Sequence, residues 1–254
     1  MPLLSVVIIT FNEERNIGRC LNSVKEIADD ILVVDSFSTD STESICRKYA
    51  VNFIQRKWEG YSLSKNFANT QAKFDWILSL DADEALSPQL QRSLTELKQK
   101  HLPVTAGFNR LTNYCGKWIH HSGWYPDFKI RVFDRRITSW DGIIHESLLI
   151  DPPQEVLRLS GDCLHYSYYT IEEHYHQAQK FSGLSATYLF DKGKRTNIIG
   201  VYLRPAMKFL WNYFIRFGFL DGSKGFTVCR IASYENYLKY SKLLRLQQAR
   251  KDVL

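Results

Sequence analysis

Two carboxylates two residues apart, Asp81 and Asp83, stand in the run Asp81-Ala82-Asp83-Glu84, directly after the apolar stretch Trp76-Ile77-Leu78-Ser79-Leu80. At a strand end such a pair can share one divalent cation. Oxygen donors and a partly hydrated octahedral ion suit Mg2+ or Mn2+ with a diphosphate. A solvated acidic turn capping the next helix would look the same, because so short a motif is common. The buried strand in front of it favours the metal. A second polar cluster, Asp35-Ser36-Phe37-Ser38-Thr39-Asp40-Ser41-Thr42, also follows an apolar run and offers carboxylates and hydroxyls to a base or a ribose. Helix capping accounts for Asp40 or Ser41 but not for Asp35. Lys65, beside Asn66, sits on a helical stretch and could meet a phosphate, although a lone lysine is more often a solvated helix face.

These residues need elements to hold them. Residues 3–9, 31–34, 51–54 and 76–80 are short, almost wholly apolar runs, the mark of strands covered on both faces. Between them, Ile17, Leu21, Val24 and Ala28 share one helix face, residues 41–49 and 62–73 read as helices, and Ser87-Pro88 starts a helix that runs to about residue 100. Strands alternating with helices imply a parallel sheet, which binds ligands beyond the carboxyl ends of its strands. The polar clusters at 10–14, 35–40 and 81–84 fall at those ends. From 104 to 169, β-like runs at 106–110, 128–133, 143–150 and 157–165 lie among Gly, Trp and His with no clear helix between them, as in a mixed sheet with loops. Residues 170–254 read as helical. The expected organisation is therefore one α/β domain over 1–169 with a helical appendage over 170–254.

The chain has 254 residues, 44% of them hydrophobic and 24% charged, which excludes disordered and fibrous classes. Its five cysteines form neither a CxxC pair nor a Cys/His ligand spacing, so a reducing, cytoplasmic setting is expected. The net charge of +6 hides a split: residues 1–191 carry 20 Lys+Arg against 24 Asp+Glu, and residues 192–254 carry 13 against 3. Arg204, Lys208, Asn212 and Arg216 recur every four residues among Met207, Phe209, Leu210, Trp211, Tyr213, Phe214 and Ile215. The spacing places them on one stripe of a helix. The uncharged runs are far short of the ~18–20 residues that span a bilayer, and the pattern suits a helix lying on an anionic membrane surface, with contact over 198–251. A helix packed on the α/β domain is the plainer alternative. Nucleic-acid binding fits the charge but has no recognisable motif, so none is expected.

The runs Ser5–Glu14, Asp30–Asp40, Ser64-Lys65-Asn66 and Leu80–Asp83 resemble, in order and spacing, the family 2 glycosyltransferases. Gly123-Trp124-Tyr125-Pro126-Asp127-Phe128-Lys129-Ile130-Arg131, Trp140–Glu146 and the segment Gly218–Phe226 are similar to a subgroup that adds glucose to the inner core of lipopolysaccharide. The resemblance implies a GT-A fold, with a nucleotide-binding half over 1–100 and an acceptor half over 101–169. It implies a UDP-sugar donor with Thr10, Asn12, Glu14, Asp35 and Asp40 around the uridine, Lys65 near the donor, and Asp81 and Asp83 at the metal, Asp83 the more direct ligand. It also implies a membrane glycolipid acceptor, with lipopolysaccharide inner-core heptose the leading candidate, and an enzyme peripheral on the inner face of the cytoplasmic membrane.

Transfer with inversion needs a base for the acceptor hydroxyl. Asp127 stands where many members place that base, ahead of Arg131. Many members have Glu-Asp there; this chain has Pro126-Asp127, which makes Glu146 a rival. His145 is a further candidate for the metal or the diphosphate, against the commoner reading of a hydrogen-bonded structural histidine. Trp118, His120, His121, Trp124 and Tyr125 could floor an acceptor sugar or pack a core. Two other functions fit parts of the pattern: a sugar-nucleotide nucleotidyltransferase, which would want a Gly-rich basic loop where Thr10–Glu14 stands, and a non-catalytic membrane-surface or RNA-binding protein.

Overall fold

The computed structural model describes residues 2–100, 104–142 and 147–251. The first hundred residues alternate strand and helix: β1 (Leu4–Thr10), α1 (Ile17–Val24), β2 (Asp30–Asp35), α2 (Thr42–Cys46), β3 (Asn52–Gln55), α3 (Tyr61–Gln71), β4 (Trp76–Asp81), β5 (Glu84–Leu86) and α4 (Pro88–Gln99). Then follow β6 (Ala106–Tyr114), β7 (Lys117–Ile119), β8 (Phe128–Asp134), β9 (Thr138–Asp141), β10 (Ser147–Ile150) and β11 (Leu157–Tyr168). The remainder is helical: α5 (Ile171–Asp191), α6 (Ile198–Leu210), a π turn (Trp211–Ile215), a 3-10 turn (Gly218–Asp221) and α7 (Gly222–Lys251).

The strands make a mixed sheet of order β3-β2-β1-β4-β8-β6-β11-β5, with β7 beside β6; β9 and β10 form a separate pair. Pairing is parallel through β3, β2, β1 and β4, and antiparallel where β8 joins β4 and β6. The fold is thus the α/β architecture with a helical C-terminal part that the sequence implies.

Two compact units make up the chain: residues 1–111 with 127–166, and residues 112–126 with 167–254. The boundary drawn at 169 falls just past Tyr166, and the segment Thr112–Pro126, assigned from sequence to the α/β domain, belongs with the helical unit.

In the first unit, the alternation of side chains along a strand feeds two cores. Leu4, Val6 and Ile8 of β1, with Trp76, Leu78 and Leu80 of β4, pack against Ile17, Leu21 and Val24 of α1 and Leu90, Leu94 and Leu97 of α4. Val7 and Ile9, with Leu32 and Val34 of β2 and Ile77 of β4, pack against Ala68 of α3 and Trp140 of β9. Each such side chain contributes about 1.5–3 kcal/mol on burial. A strand clothed on both faces favours apolar residues, which explains the runs, with only the small Ser5 and Ser79 buried among them. It also explains why the polar residues begin where the strands end. The Ser87 hydroxyl accepts from Leu90 N–H at the start of α4, and Pro88 occupies the first helical position, as the sequence signals.

In the second unit, α5 opens on a capping box in which Thr170 and Glu173 bond each other's backbone. Its core joins Tyr114, Ile119 and Val228 with Trp124, Tyr168 and Ile171. Trp124, partly buried, packs against this core. The buried Asp221 accepts hydrogen bonds from His120 N–H and His121 N–H at 3.1 and 2.9 Å and fixes that loop. The expected cationic stripe does not continue. α6 gives way to the π turn after Leu210, which breaks the four-residue register, and Asn212 is buried. The Arg204 guanidinium lies over the Tyr240 ring at 4.6 Å. Among the described residues no helix is long and apolar enough to cross a membrane.

Candidate functional site

β1 lies between β2 and β4, and its register aligns Thr10 with Asp35 on one side and Ile9 with Asp81 on the other. Asp35 and Asp81 are thus two strand spacings apart at the same edge of the sheet, about 10 Å. The segments that follow these strands are stitched together. Thr39 N–H donates to Asn12 Oδ1 at 2.8 Å, Asn12 N–H to Ser38 Oγ at 2.8 Å, Glu14 N–H to Asp40 Oδ2 at 3.1 Å and Ser41 N–H to Glu14 Oε2 at 3.0 Å. Asn12 takes a left-handed conformation with φ of 53°, which asparagine tolerates better than most residues. Asp35 is fully buried and accepts from Ser38 N–H at 2.9 Å and Gln55 Nε2 at 3.3 Å. The Thr10 hydroxyl is buried with no hydrogen-bond partner among the described residues. Burial works against ionisation of Asp40, but the Thr42 hydroxyl and the N–H groups of Thr42 and Glu14 outweigh it and hold its pKa below the usual value.

On the other flank a chain of alternating charge runs through the first unit. Lys65 Nζ, buried on α3, lies 3.1 Å from Asp81 Oδ1. Asp81 Oδ2 accepts from Arg131 at 2.9 Å, Arg131 reaches Glu84 Oε1 at 2.9 Å, and Arg110 lies 3.5 Å from the same oxygen. Arg110 then pairs with Asp127 Oδ2 at 2.9 Å, and Lys129 with Asp127 Oδ1 at 2.9 Å. Burial opposes the charge on Asp81, yet Lys65 and Arg131 beside it hold its carboxyl far below the carboxylate range. The carboxylate of Asp127 is 29% exposed, so it stays open to solvent at the end of this chain.

Asp83 is differently placed. Its Oδ2 lies 3.1 Å from His165 Nε2 on β11, and its carbonyl accepts from Tyr166 N–H at 2.9 Å. Burial disfavours a charged His165, but the Asp83 carboxylate outweighs it and raises the imidazole pKa. Glu13, whose Oε2 accepts from Asn16 Nδ2 at 2.7 Å, is pushed up to about 7, chiefly by burial, with Asp83 and Asp40 adding to the rise.

The donor set can be tested against a divalent cation. Asp81 is ion-paired with Lys65 and Arg131, but its buried Oδ1 accepts no hydrogen bond among the described residues, while Asp83 and His165 present one carboxylate and one imidazole side by side. Among the described residues no three His, Cys, Asp or Glu side chains converge as a closed metal site. A site with few protein donors still fits Mg2+ or Mn2+, which take their other ligands from phosphates and water.

The structure thus joins Thr10, Asn12, Glu14, Asp35 and Asp40 in one group, links Lys65 to Asp81, and connects Asp81 to Asp127 through Arg131, Glu84 and Arg110. His145 and Glu146, the other metal and base candidates, lie outside the described residues. Sequence reasoning passed over Glu13, Glu84, Arg110 and His165. Glu13 and Glu84 lie inside the motifs that were singled out, so adjacency was the signal available. Nothing in the sequence marks Arg110 or His165, which reach the site from distant strands.

The sheet thus carries acidic loops at the carboxyl edge of its parallel strands, and the buried Arg131 and half-buried Arg110 join them to Asp127. Residues 5–150 match Glycosyl transferase family 2, and the chain belongs to that family. Its relatives include an uncharacterized glycosyltransferase of Rickettsia bellii, 32% identical over 96% of this chain and 86% of the relative. Another is the lipopolysaccharide core biosynthesis glycosyltransferase LpsC of Rhizobium meliloti, 27% identical over 94% of this chain and 91% of LpsC. Among solved structures, Staphylococcus aureus TarS is similar at 14% identity and a TM-score of 0.45, covering 94% of this chain and 55% of that one. Glucosyl-3-phosphoglycerate synthase of Mycobacterium tuberculosis, solved with Mn2+ and UDP, gives 0.37 at 18% identity over 44% of each chain. Membership in the family makes the chain a glycosyltransferase, in place of the nucleotidyltransferase and non-catalytic alternatives.

Proposed function

We propose that this protein is an inverting, metal-dependent transferase that moves a hexose from a UDP-sugar to a hydroxyl of a lipid-linked saccharide. The observation that carries the reading is the alignment of Thr10, Asp35 and Asp81 at the carboxyl ends of three adjacent parallel strands. That edge would hold the nucleotide, with Thr10, Asn12, Glu14, Asp35 and Asp40 around the uridine and Lys65 toward the diphosphate.

Asp83, with His165 beside it, would hold Mg2+ or Mn2+, and Asp81 would steady that loop through its two cations. The bound ion would stabilise the charge gained by the departing diphosphate. Asp127 takes the proton of the acceptor hydroxyl as the new bond to the anomeric carbon forms and the bond to the UDP oxygen breaks. Arg110 and Lys129 fix its orientation.

The likeness to LpsC supports lipopolysaccharide core as the acceptor class; inner-core heptose and glucose are favoured by the resemblance of residues 123–131, 140–146 and 218–226 alone. The basic tail supports a place on the cytoplasmic face of a membrane, held over 198–251 by anionic lipid at about 1 kcal/mol per nearby basic residue.

Two variants test the reading together. Asp83→Ala should abolish the metal-dependent part of UDP binding in calorimetry. Asp127→Asn should leave UDP binding intact and cut turnover by about 10²–10⁴-fold. Unchanged UDP affinity in the first would remove the metal assignment, and near-normal turnover in the second would pass the role of base to Glu146.

A further inference from the structure

The second unit presents an apolar surface that the described chain leaves uncovered. Along α6, Ile199, Leu203, Met207 and Leu210 follow one another at intervals of four, four and three residues, which is one helix face, and Phe214 follows in the π turn. All are exposed, Ile199 by 66%. The next turn adds Phe217, Phe219 and Leu220, the last 59% exposed. These are not scattered residues. Tyr213 sits within 5.2–6.2 Å of the rings of Phe209, Phe214, Phe219 and Phe226, and Phe217 is 6.1 Å from Phe219. A contiguous exposed patch of this kind marks an interaction surface.

Three observations select its partner. First, residues 192–234 carry eight Lys or Arg and one acidic residue, Asp221. Asp221 is buried against the loop at 120–122, so no carboxylate of this segment faces outward. Two copies pressed face to face would set like charges together, whereas anionic headgroups complement them. Second, the backbone of the turn is satisfied internally, with Arg216 N–H bonded to Trp211 O at 2.8 Å, Phe217 N–H to Phe214 O at 3.3 Å and Leu220 N–H to Phe217 O at 2.9 Å. Backbone that enters an apolar medium must be paired in this way. Third, α6 has 13 residues, about 20 Å, too short to cross the ~30 Å hydrocarbon core but suited to lying in its interface.

We infer that the outer face of α6 and the turns at 211–220 form a hydrophobic wedge that inserts into the interfacial layer of a bilayer bearing anionic headgroups. The inference rests on the membrane reading above and gives it a mechanism: Phe214, Phe217, Phe219 and Leu220 enter the acyl boundary while Lys208 and Arg216 stay at headgroup level.

The full chain is tested by co-sedimentation with phosphatidylcholine vesicles and with vesicles of phosphatidylcholine and phosphatidylglycerol. Binding should be strongest to the anionic vesicles and should persist in part at high salt, because insertion is not screened. Phe219→Glu and Leu220→Glu should each lower the partition coefficient about tenfold on both vesicle types, with unchanged thermal unfolding. Binding that high salt abolishes entirely, and that Phe219→Glu leaves alone, would overturn insertion in favour of adsorption by charge. A dimer in gel filtration that Leu220→Glu dissociates, with no vesicle binding, would assign the patch to a second copy and overturn the inference. Hexosyl transfer to a water-soluble saccharide acceptor, measured on the same samples, reports on the enzymatic reading separately.

Discussion

At the residue scale, the two aspartates of the motif have different work. Asp81 neutralises Lys65 and Arg131, both buried, while Asp83, exposed to about the same degree as Asp81, faces the imidazole of His165. Asp81→Asn would leave buried cations with too little negative charge, and breaking a buried ion pair costs about 3–5 kcal/mol. Glu84 still serves Arg131, so a loss of about 3 kcal/mol is expected, seen as a lower urea midpoint with an unchanged slope. Asp83→Asn should cost clearly less at pH 8, because its partner is an imidazole that can shed its proton and become neutral. Equal effects would refute this division of labour.

His174 makes a second prediction at this scale. Its Nδ1 lies 3.1 Å from the Tyr114 hydroxyl, with Trp124 and Tyr168 packed on the ring, and burial lowers its pKa from 6.5 to about 4. The folded protein thus prefers the neutral ring. Between pH 6.5 and 4 the unfolded chain binds a proton that the folded chain does not, so stability falls as pH falls across that window, by about 3 kcal/mol in all. His174→Gln, which cannot titrate, should flatten that part of the pH–stability curve. An unaltered curve would place the acid sensitivity elsewhere.

At the scale of elements, close approach decides which changes are tolerated. Gly161 on β11 has φ of +94°, and a Cβ there would come within 2.4 Å of the backbone N of Leu90 at the start of α4. The strand and the helix are tied by Ser87 N–H to Asp162 O at 3.1 Å and Asp162 N–H to Ser87 Oγ at 3.2 Å, so neither can retreat freely. Gly161→Ala should cost about 2 kcal/mol or more in denaturant unfolding. Gly193→Ala, also at positive φ but with open space around it, should cost only the conformational strain, about 1 kcal/mol. A reversal of that order would refute the packing argument.

The same scale separates what was legible from what was not. β1, β2 and β4 are readable because strands buried on both faces leave continuous apolar runs, and the loops after them carry their polar residues in plain view. β5 is not, since it has only three residues and its first, Glu84, belongs to the acidic motif, so no strand is expected there. The four-residue spacing of Arg204, Lys208, Asn212 and Arg216 assumed an unbroken helix, and the π turn at 211–215 breaks that register. The charge chain from Lys65 to Lys129 is assembled from α3, β4, β5, β6 and β8 and from Asp127 just before β8. No local pattern announces that Arg110 will meet both Glu84 and Asp127.

At the scale of the whole molecule, charge is partitioned along the chain: an acidic stretch over 1–191 and a basic one over 192–254. If the basic part serves to bring the enzyme to a lipid surface, it should affect transfer only when the acceptor is in that surface. Lys208 and Arg216 are both exposed beside the apolar patch, so reversing them leaves the folded core untouched. Lys208→Glu with Arg216→Glu should therefore lower transfer to a lipid-linked saccharide in anionic vesicles at least about tenfold. Transfer to the deacylated saccharide in solution should keep its rate and its KM. Raising the salt should shrink the wild-type advantage on vesicles, because attraction between exposed charges and headgroups is screened beyond about 8–10 Å. If the double variant lost both activities equally, those two cations would have to act in the reaction itself, and the division between a nucleotide-binding part and a lipid-binding part would fail.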